Sequence, residues 1–81
     1  LSEERRKEIV KIAAKYTEDC KISIRNIRRE GMDKIKLDEK NKELSKDESF
    51  QNSEDLQSLT NRFIEKIDTL FAEKEKDILK V

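Results

Sequence analysis

The sequence predicts an all-α fold, and its composition and apolar spacing support that prediction. The 81 residues include one Gly and no Pro, so the residues that break helices are nearly absent. Apolar residues recur at steps of three and four, which is the spacing of one side of an α-helix. Charged residues make up 47% and hydrophobic residues 33%. Such values approach those of disordered chains, but the regular apolar spacing favours amphipathic helices.

The first helix is predicted over residues 2–43. Ser2 is suited to cap the free amides at its start, where Glu3 and Glu4 also complement the helix dipole. Gly31 falls on the apolar side of this helix. It either permits close approach of a neighbouring helix or marks a bend, and both readings stay open. The apolar side consists of Ile9, Ile12, Ala13, Tyr16, Cys20, Ile24, Ile27, Gly31 and Ile35.

The second helix is predicted over residues 46–80, because S-K-D-E at residues 45–48 reads as a capping box. Its apolar arc is roughly 140° wide, more than a two-helix seam needs, which predicts a third helix against the pair. A short connection near Glu43 and Leu44 favours an antiparallel hairpin. The arc consists of Leu56, Leu59, Phe63, Ile64, Ile67, Leu70, Phe71 and Ile78. Ile9, Tyr16, Ile24 and Ile27 are expected to face Phe63, Ile67, Leu70 and Phe71.

Residue types exclude several function classes. The chain has no His and a single Cys, so the common nucleophile–base pairs and metal-ligand clusters are missing. No Gly-rich phosphate loop is present. We therefore predict no catalytic residue, no metal and no cofactor. Cys20 is expected to be a buried structural thiol. No apolar run reaches membrane-spanning length, so no membrane partner is expected.

The densest basic cluster lies between Ile22 and Lys36, although the net charge of the chain is zero. At the helical angle per residue, Lys21, Arg25, Arg29 and Lys36 share one side, with Arg28 at its edge. Arginine suits phosphate because its planar fork donates two parallel hydrogen bonds. A charge run is more often only a solvated face. Here Glu3, Glu18 and Glu39 interrupt the basic flank, but the other acidic residues of this helix gather mainly on a different flank. This division adds some support to a binding role, and the solvated face stays the simpler reading at this point.

Four segments in order carry a family resemblance. They read L-S-E-E-R-R-K-E, I-R-N-I-R-R-E, L-Q-S-L-T-N-R and A-E-K-E-K-D-I-L. Together they resemble the carboxy-terminal half of bacterial ribosome recycling factors. The resemblance implies an elongated three-helix bundle with a small β-rich domain inserted after its first helix. Residues 1–81 then correspond to part of that bundle, its second and third helices, with no counterpart of the first helix or of the inserted domain.

The resemblance also implies a function. Such factors are not enzymes; together with elongation factor G and its GTP hydrolysis they split post-termination ribosomes into subunits. Their bundle contacts ribosomal RNA of the large subunit. Arg25, Arg28, Arg29 and Arg6 fall in the matching motifs, and the basic side adds Lys21 and Lys36 as candidate RNA contacts. The setting implied is the bacterial cytoplasm, and an organellar source fits equally.

Two further expectations and one alternative complete the interpretation. Without the inserted domain, the chain is expected to bind ribosomes weakly and not to split them. Its exposed apolar strip is expected to recruit a second copy, or the first bundle helix if a separate peptide supplies it. The alternative is a structural helical hairpin or coiled-coil interaction module that binds no RNA.

Overall fold

Two long helices make up the computed structural model, which describes residues 1–80. Helix α1 spans Glu3–Lys40 and helix α2 spans Lys46–Leu79. They lie side by side and antiparallel in a rod of 60 × 15 × 9 Å. The predicted all-α hairpin is therefore confirmed. In this part of the chain, neither helix combines the length and apolar character needed to cross a lipid bilayer.

The connection between the helices is longer than the sequence suggested, because α1 ends at Lys40 rather than near residue 43. The carbonyl oxygen of Asp38 accepts hydrogen bonds from the amides of Glu43 (2.8 Å) and Leu44 (3.2 Å). Lys42 adopts a φ of 61°, the left-handed conformation that commonly closes a helix. These bonds satisfy carbonyl groups left free at the end of α1 and reverse the chain within five residues, 41–45.

Both helices begin at a serine cap. Ser2 Oγ accepts a hydrogen bond from the amide of Arg5 at 3.1 Å. At α2, Ser45 Oγ accepts from the amide of Glu48, and the Glu48 carboxylate accepts from the amide of Ser45, each at 3.1 Å. The backbone amide and then the hydroxyl of Ser45 hold the pKa of Glu48 below its ordinary 4.5. The predicted capping box is thus complete, and α2 continues unbroken through its polar first turns.

The helices approach each other closely at Gly31. A Cβ atom added at Gly31 would lie 2.8 Å from Cδ2 of Leu56 on α2, closer than such atoms normally come. Helix α1 passes through this position without interruption. Of the two readings that the sequence left open, close approach of a neighbouring helix is therefore the one the structure supports.

Small hydroxyl side chains are packed in the helix interface. Ser49 and Thr60 are the buried residues of the described chain, and no hydrophobic residue within residues 1–80 is fully buried. The hydroxyl of Thr60 donates to the Leu56 carbonyl at 2.7 Å, and that of Thr17 donates to the Ala13 carbonyl at 2.8 Å. Because these hydroxyls are satisfied within their own helices, the side chains pack in the interface without a polar partner across it.

One long side of the hairpin forms an apolar groove that is open to solvent. A hollow of about 270 Å³ lies between Ile24 and Ile27 of α1 and Phe63 of α2. A second, of about 290 Å³, lies between Tyr16 and Phe71. We call this surface the open groove; it is lined by Tyr16, Cys20, Ile24, Ile27, Leu59, Phe63, Ile67, Leu70 and Phe71.

The open groove both supports and corrects the sequence predictions. The side chains expected to face one another line the same groove, apart from Ile9, which is half-buried. They are not enclosed, since Tyr16 remains 71% and Ile27 64% exposed. The prediction that Cys20 is buried is wrong for this structure: its side chain is exposed. The reason is that two helices cover each other along one line only, and nothing covers the groove.

The close approach at Gly31 generates a stability prediction. Gly31→Ala adds about 0.5–1 kcal/mol of helix propensity, and the terminal methyl of Leu56 can shift to admit one carbon. We expect the unfolding free energy of Gly31→Ala to stay within about 1 kcal/mol of that of the parent. Gly31→Leu places too large a side chain in the interface and should lower the unfolding free energy by about 1–3 kcal/mol. Chemical denaturation at one fixed protein concentration measures both changes.

The double variant Gly31→Leu/Leu56→Ala is the control, because it removes the side chain that the new leucine meets. It should recover part of the loss seen in Gly31→Leu alone. Equal stability of Gly31→Leu and the parent would contradict close packing at this point.

Candidate nucleic-acid interface

The six predicted RNA-contacting cations fall into two groups of three. Lys21 and Arg28 bond to helix α2, and Arg6 bonds to Lys80, the residue that caps its end. Arg25, Arg29 and Lys36 are exposed. The structure therefore does not bring all six together as one surface. Within the described part of the chain, no three acidic or thiol side chains are grouped to hold a metal ion.

Arg28 joins the two helices. Its Nη1 donates to Gln57 Oε1 at 3.1 Å, and Gln57 Nε2 donates to Asn61 Oδ1 at 2.9 Å. Arg28 also lines the hollow between Ile24 and Phe63. Its half-buried side chain therefore contributes both to the apolar packing at that hollow and to the hydrogen bond with α2. Arg28 has a structural role whether or not it binds a ligand.

Lys21 pairs across the helix interface. Its Nζ lies 2.8 Å from Asp68 Oδ1 and 3.4 Å from Glu18 Oε2, and its side chain is only 16% exposed. The hydrogen bond to Asp68, with that to Glu18 and against the opposing effect of burial, raises the pKa of Lys21 above its ordinary value. Two carboxylates offset its charge, which makes Lys21 a poor site for an additional phosphate.

Arg6 closes the far end of the hairpin. Its Nη1 donates to the carbonyl oxygen of Lys80 at 2.8 Å, just beyond the end of α2. This places a cation at the negative end of the α2 dipole. The Nε of Arg6 is buried and has no hydrogen-bond partner within residues 1–80. Arg6 is therefore committed to holding the ends of the two helices together.

Arg25, Arg29 and Lys36 form a line of exposed cations, which we call the basic face. Within residues 1–80 none of them makes a salt bridge or a side-chain hydrogen bond. Arg25 and Arg29 are one helical turn apart, and Lys36 lies roughly 16 Å along the axis from Arg25. Free guanidinium groups at this spacing can each donate to a phosphate of a nucleic-acid backbone.

The basic face and the open groove lie on opposite sides of α1. Arg29 follows Ile27 by two positions, a rotation of about 200° around the helix axis. Ile27 lines the open groove, whereas Arg29 is exposed outside it. A segment that covered the groove would therefore leave the basic face accessible.

The sequence did not predict two residues of α2 that lie outside the open groove, Gln57 and Phe50. Gln57 was missed because its partner, Arg28, lies on the other helix, and periodicity within one helix cannot reveal such a pair. Phe50 lies outside the apolar arc of α2. An aromatic residue in that position predicts an exposed aromatic side chain, and this signal was readable in the sequence. Its side chain is 67% exposed. It precedes Gln57 by two helical turns and hence points to the same side.

The different settings of Arg28 and Arg29 predict different effects on stability. Arg28→Ala removes the bond to Gln57 and the packed stem, so we expect it to lower the unfolding free energy by about 1 kcal/mol or more. Arg29→Ala should change it by less than about 0.5 kcal/mol. Arg28→Met keeps an apolar side chain of similar length, so its loss of unfolding free energy should lie between those of the two alanine variants. Denaturation at fixed concentration, with circular dichroism, measures all three, and equal losses for Arg28→Ala and Arg29→Ala would contradict the cross-helix role of Arg28.

Comparison with known proteins gives one consistent match. The family model described as "Ribosome recycling factor" matches residues 1–79. Curated ribosome-recycling factors from Synechococcus sp. and Prochlorococcus marinus are 56% identical over 78 residues and 54% identical over 81 residues, which is 96% and 100% of this chain. One from Bacillus pumilus is 47% identical over 81 residues.

The chain spans less than half the length of these relatives, 43% for the Synechococcus protein and 44% for the other two. The match nevertheless covers the helices, the turn and the basic face in a single alignment. The resemblance found in the sequence is thereby confirmed, and the chain belongs to the ribosome recycling factor family.

Proposed function

We propose that the chain is the RNA-contacting part of a translation factor that, with elongation factor G, splits post-termination ribosomes into subunits. The observation that carries this proposal is the match of nearly the whole chain to ribosome recycling factors. The proposed role is binding rather than catalysis, in the bacterial cytoplasm or its organellar equivalent. We propose that splitting itself also requires the regions of ribosome recycling factors that these 81 residues do not match.

The basic face supplies the proposed contact with ribosomal RNA of the large subunit. Arg25, Arg29 and Lys36 are exposed and have no carboxylate partner within residues 1–80. Counterions released from RNA phosphates on binding would drive such a contact. Arg28, Lys21 and Arg6 would act mainly by holding α1 and α2 in register, because each already bonds to α2 or to the residue that caps its end.

The open groove supports the assignment of this chain to two helices of a three-helix bundle. A groove lined by Ile27, Phe63 and Leu70, each about half exposed or more, is what a bundle leaves when one helix is removed. In a longer protein, a further helix would fill it and enclose the core. The basic face would remain free in that arrangement, since it lies on the other side of α1.

The charge contacts predict how ribosome binding responds to salt. Arg25→Ala and Arg29→Ala should each weaken binding to large ribosomal subunits and reduce the slope of log affinity against log salt by about 0.7–0.9. A salt titration of the affinity measures this slope. Arg62→Ala is the matched control, because Arg62 lies on the open-groove side of α2.

The same titration separates the alternative function. A coiled-coil or hairpin interaction module without RNA binding would show no salt-dependent affinity for large subunits, and all three variants would behave alike. A splitting assay with elongation factor G and GTP then tests whether the chain alone can split ribosomes. The chain should occupy subunits without splitting ribosomes, and efficient splitting would mean that the missing regions are not required.

We further propose that the isolated chain pairs with a second copy through the open groove. Its accessible surface is 6711 Å², whereas a compact monomer of 9.6 kDa exposes about 5,100 Å². The surface that this chain exposes beyond that of a compact monomer is larger than the roughly 800 Å² that each partner buries in a standard protein–protein interface. The chain therefore has enough surplus surface to form such an interface. Two hairpins packed groove to groove would form a four-helix arrangement and remove the apolar strip from water.

Groove pairing predicts opposite behaviour for two isoleucines of α1. Ile27→Glu places a charge in the groove and should yield monomers at micromolar concentration. Ile22→Glu makes the same change on a half-exposed isoleucine outside the groove and should leave the dimer intact. Sedimentation equilibrium distinguishes the two masses. A parent chain that sediments as a compact, cooperatively melting monomer would refute the pairing.

A further inference from the structure

Phe50 is an exposed aromatic residue that neither the helix interface nor the open groove uses. It is 67% exposed and belongs to the first turns of α2. It is absent from the lining of the open groove, where the other exposed aromatic side chains, Tyr16 and Phe63, are found. A segment that covered the groove would therefore leave Phe50 in water.

The helix register places Phe50 beside the basic face. Gln57 bonds to Arg28, and Phe50 precedes Gln57 by two turns of α2. Because the helices are antiparallel, two turns back along α2 correspond to two turns forward along α1, from Arg28 to residues 35 and 36. Phe50 thus lies on the Gln57 side of α2, outside the lining of the open groove, level with the exposed Lys36 and about 10 Å along the axis from Gln57.

The charges around Phe50 on α2 are mixed. Lys46 and Asp47 lie one turn before it and Glu54 one turn after it, and all three are exposed. The two carboxylates offset Lys46 and disfavour a phosphate at this spot, while the phosphates have the cations of the basic face available on α1. Nucleobases are flat and uncharged, and a base stacked on an aromatic ring gains binding energy whatever its identity.

We propose that Phe50 stacks on an unpaired base of the same RNA whose phosphates bind the basic face. This inference rests on the proposed function and adds a base contact to it. Phosphates along Arg25, Arg29 and Lys36 would fix the strand on α1, and the ring of Phe50 would hold a base turned towards α2. Stacking would contribute affinity that salt does not screen, in contrast to the phosphate contacts.

The test compares Phe50→Leu with Arg29→Ala in binding to purified large ribosomal subunits across a salt titration. Phe50→Leu keeps an apolar side chain but removes the aromatic face. It should raise Kd about fivefold or more at every salt concentration and leave the salt slope unchanged. Arg29→Ala should reduce the slope. Phe50→Trp should bind at least as tightly as the parent.

Phe50→Trp also reports the contact directly, because the chain contains no other Trp. Its fluorescence should be quenched when large subunits are added, since a stacked base lies against the indole. Leu79→Trp, an exposed position at the far end of α2 and outside the open groove, is the matched control and should not be quenched on binding.

Each outcome separates this inference from the proposed function. If the parent binds with an arginine-dependent salt slope but Phe50→Leu binds equally well, the stacking proposal fails and the function stands. If Phe50→Leu binds more weakly while Phe50→Trp is not quenched, Phe50 contacts a ribosomal protein and base stacking is refuted. If the parent does not bind large subunits at all, the proposed function fails, and the stacking proposal with it.

Discussion

The register between α1 and α2 is the constraint on which the rest of the structure depends. It is set where Gly31 admits Leu56 and where small side chains such as Thr60 let the helices come close. Once that contact is made, Lys21 meets Asp68 and Arg28 meets Gln57. A slip of one helical turn, about 5.4 Å, would separate both pairs and drive a larger side chain against α2. Packing and polar pairing therefore specify the same alignment.

Two helices can cover each other along one line only, and this geometry gives the hairpin two different surfaces. On one side, the apolar arcs remain uncovered as the open groove. On the other, the cations of α1 face solvent beside the start of α2. Since the net charge of the chain is zero, any affinity for RNA depends on this local segregation of charge. A covering helix and an RNA partner could thus be accommodated at the same time, each on its own surface.

Arginines that look alike in the sequence differ in what they can do. Arg28 and Arg29 are adjacent in one motif. The guanidinium of Arg28 donates a hydrogen bond to Gln57 and its side chain is half-buried, whereas Arg29 is exposed to solvent. In the RNA contact proposed above, loss of Arg28 would act partly through the alignment of the helices, and loss of Arg29 through charge alone. The division follows from a 100° rotation per residue, which carries neighbouring side chains to different surfaces.

Local signals in the sequence determined the secondary structure and the family. The serine at position 45 with Glu48 marks the start of α2, the spacing of apolar residues marks both helices, and the R-N-I-R-R motif points to ribosome recycling factors. These signals were readable because caps and periodicity act over a few residues. Only the tertiary structure decided that Cys20 is exposed, that Lys21 and Arg28 are held by α2, and that Phe50 lies level with Lys36. Each of these depends on which side chain of a distant helix stands opposite, and that relation is set by how the two helices pack, not by the sequence of either one.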